Sequence, residues 1–188
     1  MPVQTGPAKR LLQLNISAIQ RSLYISVPMQ SPKDWYPVRR RWTASKFKPG
    51  RLFIREIHAL IEAGTDFIVE VTLAGKGFVR TISELKRAGY TITIVFIFLK
   101  SPETSVARVR NRVQAGGHHV PTEDVVRRFY RSKHNFWYTY RHLVDEWHLF
   151  YNSAEHPQEV ASGEGDKVTV INNDFFELFM QDIPNGGT

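Results

Sequence analysis

At 188 residues, 42% hydrophobic and 12% aromatic, the chain is long enough to bury one ordinary core and too rich in aromatics for a disordered segment. It has no cysteine, which excludes disulfides, thiol catalysis and cysteine-ligated zinc. The formal charge of +7 invites a nucleic-acid reading, but residues 1–50 hold nine Lys/Arg against Asp34 alone, while the remainder is close to neutral with sixteen Lys/Arg against seventeen acids.

Residues 1–50 are basic, studded with proline and fit no periodic element. Met1 is followed by Pro, Gln, Thr and Gly rather than an apolar core, so no signal peptide is read. The longest apolar run, "ITIVFIFL", is too short to span a bilayer. A cytosolic protein with no membrane partner is expected.

Periodic structure begins with "GRLFIREIHALIEAG", where Leu52, Ile57, Leu60 and Ile61 fall on a helical period that stops at Gly64. "DFIVEVTL" is short, apolar and β-branched, as a buried strand requires. "KGFVRTISELKRAG" returns to helical spacing, and "TITIVFIFL" is the strongest strand signal in the chain. "SPETSVARVRNRVQAGG" opens with Ser101 as N-cap and Pro102 in the first turn, and stops at paired glycines. "PTEDVVRRFYRSKHNFWYTYRHLVD" reads as one long helix or two broken ones, "EWHLFYNS" as a strand, "KVTVIN" as a short strand and "NDFFELFMQ" as a closing helix capped by Asn173. Alternation of this kind predicts a parallel α/β sheet whose ligands sit at the carboxyl ends of the strands. That directs attention to Glu70, Thr72 and the loops that follow.

Three stretches could carry chemistry. Gly75-Lys76-Gly77 lacks the G-x-x-x-x-G-K-[ST] spacing of a phosphate loop, so a plain turn with a solvated lysine is the better reading. Glu70, near a strand end, either pairs locally or points into the ligand crevice. Arg108 and Arg112 share a helix face, and a Gly116-Gly117 hinge leads to Arg127 and Arg128 on the next helix. Such arginines suit a lid closing over phosphates, because a planar guanidinium forks onto phosphoryl oxygens. The alternative is two solvated helix faces. His118 and His119 are adjacent without a third partner and are assigned no metal.

Read in order, residues 50–153 resemble the zeta-toxin-like P-loop kinases, in particular their chromosomal branch described as predicted ATPases. The resemblance rests on Glu70-Val71-Thr72-Leu73 at a strand end (departing from a Glu-Thr-Thr-Leu-like pattern at Val71), the R-V-x-x-R-V-x-x-G-G-H-x-V-P run from Arg108 to Pro121, the Arg127-Arg128 pair and Asn152-Ser153. It implies a three-layer sheet with helices on both faces and phosphoryl transfer from Mg-ATP to a hydroxyl acceptor, a nucleotide-activated amino sugar in the toxins proper. By resemblance, Glu70 and Thr72 lie near acceptor or metal, Arg108, Arg112, Arg127 and Arg128 act as lid cations, and Asn152 sits near the adenine. An antitoxin protein is the partner such a family implies. The family's first strand, Walker loop and following aspartate belong upstream of Gly50, and none is present.

The gene offers a reason. When residues 1–13 are back-translated and read from the third base of each codon, one permitted sequence is A-G-P-N-G-A-G-K-T-T-F-A, which contains a complete Walker loop. The same shift allows A-D-A-V-A from "VPMQSP" and A-G from "KPG", which joins directly to Arg51-Leu52. Residues 1–50 are therefore expected to be an unstructured, out-of-frame translation, with Met1 a spurious start, and residues 51–188 a truncated kinase domain that binds neither ATP nor Mg²⁺ and is inactive. The intact parent would use both. A non-catalytic partner-binding protein and a basic nucleic-acid module remain as alternatives.

Overall fold

The computed structural model describes residues 22–26, 49–64, 66–152 and 157–183. Among them are six strands and five α-helices: β1 (Ser22–Ser26), α1 (Pro49–Glu62), β2 (Phe67–Glu70), α2 (Phe78–Arg87), β3 (Thr91–Phe98), α3 (Pro102–Gln114), α4 (Thr122–Tyr138), β4 (Glu146–Asn152), β5 (Pro157–Glu164), β6 (Lys167–Val170) and α5 (Asn173–Gln181). Apart from β1 and the first two residues of α1, the expectation for residues 1–50 lies outside the described residues, as does Ser153. No described helix is long and apolar enough to cross a membrane.

The strands form one sheet in the order β2-β1-β3-β4-β5-β6. Because β1 is antiparallel to both β2 and β3, those two run the same way, and β4 is parallel to β3. Three co-directional strands therefore deliver Glu70, Phe98 and Asn152 to one edge, where open α/β sheets bind ligands. The α/β, P-loop kinase-like class expected from the sequence holds. The sheet is mixed rather than wholly parallel, because β1 fills the slot between β2 and β3 in reverse and β5 and β6 fold back as antiparallel strands.

β5 has no counterpart among the strands expected from the sequence. "PQEVASGE" is polar at most positions, and it becomes a strand because pairing with Trp147–Asn152 buries Val160 and Ala161 completely. Its Gly163 is obligatory, since a Cβ there would collide with the Lys167 carbonyl and the Trp147 ring. The long helical stretch resolves into α4 and a short 3-10 turn at Tyr140–His142, separated by Thr139. Ser101 caps α3 as expected, accepting the Thr104 amide at 3.4 Å. The closing helix is capped one residue earlier than expected: the Asn172 side chain, not Asn173, accepts the Phe175 amide at 3.1 Å.

Strand periodicity gives the sheet two different faces. On one, Ile92, Ile94, Phe96 and Phe98 of β3 and Trp147 and Leu149 of β4 join side chains of α1, α2, α4 and α5 in a single core. Phe96 stacks on Phe136 with ring centroids 4.5 Å apart, and Phe136 meets Trp147 and Phe179 edge-on. Full burial of such a side chain contributes roughly 2–3 kcal/mol. On the other face the register aligns Thr93 with Glu146, Val95 with His148, and Ile97 with Phe150.

Candidate functional site

The second face ends in a cavity of about 530 Å³ at the carboxyl edge of β2, β3 and β4, roofed by α3 and the first turns of α4. A volume of roughly 300–1,000 Å³ is usual for small-molecule sites. β2 and the residues after it contribute Glu70 and Thr72, β4 contributes Asn152, and α3 contributes Arg108 and Arg112. From α4 come Arg128 and, below it, the buried Phe129. Six of the seven residues singled out from the sequence thus line one cavity.

Arg127 does not join them. It pairs on the surface of its own helix with Asp124, at 2.7 Å, because one residue along a helix turns a side chain by about 100°. The Gly116-Gly117 pair is a helix stop: Gly116 adopts φ +85, and its amide and that of Gly117 bond back to Val113 and Arg112 at 2.9 Å each. Arg112 meanwhile donates to the His118 carbonyl at 3.3 Å. His118 and His119 are exposed.

Ser105, one turn before Arg108, was not expected. It lines the cavity with its hydroxyl buried and unpaired among the described residues. Helical spacing carried the signal, since positions 105, 108, 109 and 112 form one stripe on α3. Among the described lining residues Glu70 is the one acid, sharing the cavity with Arg108, Arg112 and Arg128. The wall is therefore cationic, with one carboxylate at its edge, which suits an anionic ligand that also presents a hydroxyl.

The loop from β2 to α2 is held from below. Leu73, buried, adopts φ +51, a left-handed conformation that a branched side chain tolerates at a cost of roughly 1–3 kcal/mol. Its carbonyl accepts Nδ2 of the buried Asn135 at 2.9 Å. Two residues on, the Gly75 carbonyl accepts the hydroxyl of fully buried Tyr140 at 2.6 Å, and the same hydroxyl receives the backbone N–H of Phe78, the first residue of α2. Both long-range contacts join residues more than sixty positions apart, and no local pattern announces them.

These residues do not fit the phosphates of ATP. Lys76 is exposed and followed by glycine, and the Gly75 carbonyl is committed to Tyr140 rather than standing beside a ring of free amides. The described residues offer no Walker-type cradle.

Below the cavity on the same face, His148 is buried between two acids, with Nδ1 2.8 Å from Glu159 and Nε2 3.1 Å from Glu146. Burial opposes its charged form, but the two carboxylates outweigh it and push His148 up to about 9. On the opposite side of the sheet, Lys133 is buried under the Phe98, Phe129 and Phe179 rings and pairs with Asp182 at 2.6 Å. Burial lowers the lysine below its ordinary value despite that partner.

Co-directional strands ending at an arginine-lined cavity under two helices define an α/β fold of the P-loop kinase-like class. The zeta toxin family model matches residues 47–155, more than half of the sequence, and the chain belongs to that family. It is also 31% identical over 78 residues to an uncharacterised protein of Haemophilus influenzae, covering 42% of this chain and 55% of the relative. The chain thus spans about half the length of that curated relative. No solved structure matches.

Proposed function

We propose that the chain is the acceptor-and-lid portion of a zeta-toxin-like phosphotransferase, without the portion that holds ATP. Family membership points to ATP-dependent, kinase-like chemistry for the intact protein. The observation that carries the proposal is the convergence of Glu70, Thr72, Arg108, Arg112, Arg128 and Asn152 on one cavity at the strand ends. Within it, Arg108, Arg112 and Arg128 are the cations for a phosphorylated group, and Glu70 and Thr72 receive the hydroxyl of the acceptor. Asn152, the last residue of β4, lines the same cavity and is the candidate for a base-binding group. The absence of a Walker sequence in the chain supports inactivity as translated.

The frame-shift reading belongs to this proposal. It is supported by the family match, which begins at residue 47. Resequencing the gene from upstream of the Met1 codon to the Leu52 codon tests it: a base lost near Gly50 would open the Walker frame, and an unchanged sequence would leave the chain as it stands. Calorimetry with Mg-ATP tests inactivity. The expected result is no saturable heat and no turnover, and tight binding would sink the proposal.

A further inference from the structure

We infer that Asn135 and Tyr140 are positioning residues for the cavity, fixing the Val71–Gly77 loop and with it Glu70 and Thr72 relative to the arginines of α3 and α4. The inference rests on the reading of the cavity given above, and it adds two residues that touch neither the cavity nor its ligand.

Glu70 and Thr72 are both exposed, Glu70 closing β2 opposite Ser22 and Thr72 lying two residues beyond it. The backbone just after them is where the chain is strained, at Leu73, and a strained left-handed residue persists only if its surroundings over-determine it. Two buried polar side chains do so. Asn135 holds the Leu73 carbonyl and Tyr140 holds that of Gly75, while the Tyr140 hydroxyl also receives the first N–H of α2. Buried polar groups lose heavily if unpaired, so each bond defines the carbonyl's direction rather than merely decorating it.

Both fasteners lie at the far end of the structure that forms the lid. Asn135 is two turns along α4 from Arg128, and Tyr140 opens the 3-10 turn that follows. The intervening stretch is anchored, with Ser132, Lys133, Phe136 and Trp137 all buried. α4 therefore carries a cavity arginine near its middle and Asn135 near its carboxyl end, with Tyr140 just beyond the break at Thr139.

The test uses the full chain with Tyr140→Phe, which deletes one hydroxyl and keeps the ring in its place, and Asn135→Ala as a second variant. Amide hydrogen exchange is followed over residues 71–77. Binding is titrated with inorganic tripolyphosphate, which needs the arginines alone, and with a nucleoside-diphosphate sugar, which also presents hydroxyls. The expected result is faster exchange confined to this loop, about tenfold weaker binding of the sugar nucleotide from the loss of one buried hydrogen bond, and tripolyphosphate affinity within about twofold of wild type. Unchanged exchange in the loop would overturn the clamp. Faster exchange with both affinities unchanged would overturn the positioning role and leave only a structural one. If the wild-type protein binds neither probe, the cavity reading itself is wrong and the positioning role falls with it, a failure visible before any variant is made.

Discussion

The two faces of the sheet are built on opposite principles. One is a continuous aromatic and aliphatic layer: Phe96, Phe98 and Trp147 lie under Phe136, Trp137 and Phe179, with Lys133 the charged group set into it. The other alternates apolar with polar groups, carries His148 between two acids and opens at its carboxyl edge into the arginine-lined cavity. The difference separates a face that holds the fold from one that can carry a site. Aromatic packing keeps the sheet rigid from one side, so that the other can display charged side chains whose own contacts add little to folding.

Removing a ring from the first face tests that division most severely. Phe136→Ala should cost roughly 3–5 kcal/mol in denaturant unfolding, since a fully buried ring stacked on Phe96 leaves a cavity between helix and sheet. A loss below about 1 kcal/mol would mean that this face is not the stabilising one. The same variant also shortens the support for Asn135, its neighbour on α4.

On the second face, His148 is an exception to the rule that charge contributes little. Its folded-state value of about 9 lies above the ordinary 6.5, so its protonated form is favoured by folding. The stabilisation is complete below pH 6.5 and is lost as pH rises through 9, by on the order of a few kcal/mol. Chemical unfolding at several pH values should show this decline in the wild type and a flatter profile in His148→Gln. Identical profiles would place the proton elsewhere.

The smallest expected change in stability comes from the cavity edge. Arg128 is exposed and pairs with no carboxylate among the described residues, so Arg128→Ala should leave unfolding within about 0.5 kcal/mol of wild type. It should nevertheless weaken tripolyphosphate binding by about tenfold, the worth of one charge-assisted contact. Arg127→Ala, by contrast, should leave that binding unchanged, because its guanidinium is turned to Asp124. Equal losses from the two arginines would erase the distinction between cavity wall and helix surface.

Much of this site was legible before folding. Helical spacing placed Arg108 and Arg112 together, the strand ends marked Glu70 and Thr72, and the family resemblance added Asn152. Arg127 and Arg128, both expected as lid cations, are placed differently, Arg128 lining the cavity and Arg127 paired with Asp124, since neighbours on a helix face different ways. Ser105 could have been added by extending the α3 stripe one turn. β5 could not, because its polar sequence becomes a strand only where β4 offers it a partner.

The sequence by itself determined the periodic elements from α1 onward other than β5, the kinase-like class and the cations that gather at the strand ends, because these follow from local period, caps and family motifs. Tertiary structure decided the rest. The direction of β1, the strained turn at Leu73, the fastening of that turn by Asn135 and Tyr140, and the imidazolium held by Glu146 and Glu159 all depend on partners distant along the chain or across the sheet. Hydrogen bonds of that kind are set by how helices and strands pack, and a linear pattern carries no record of them.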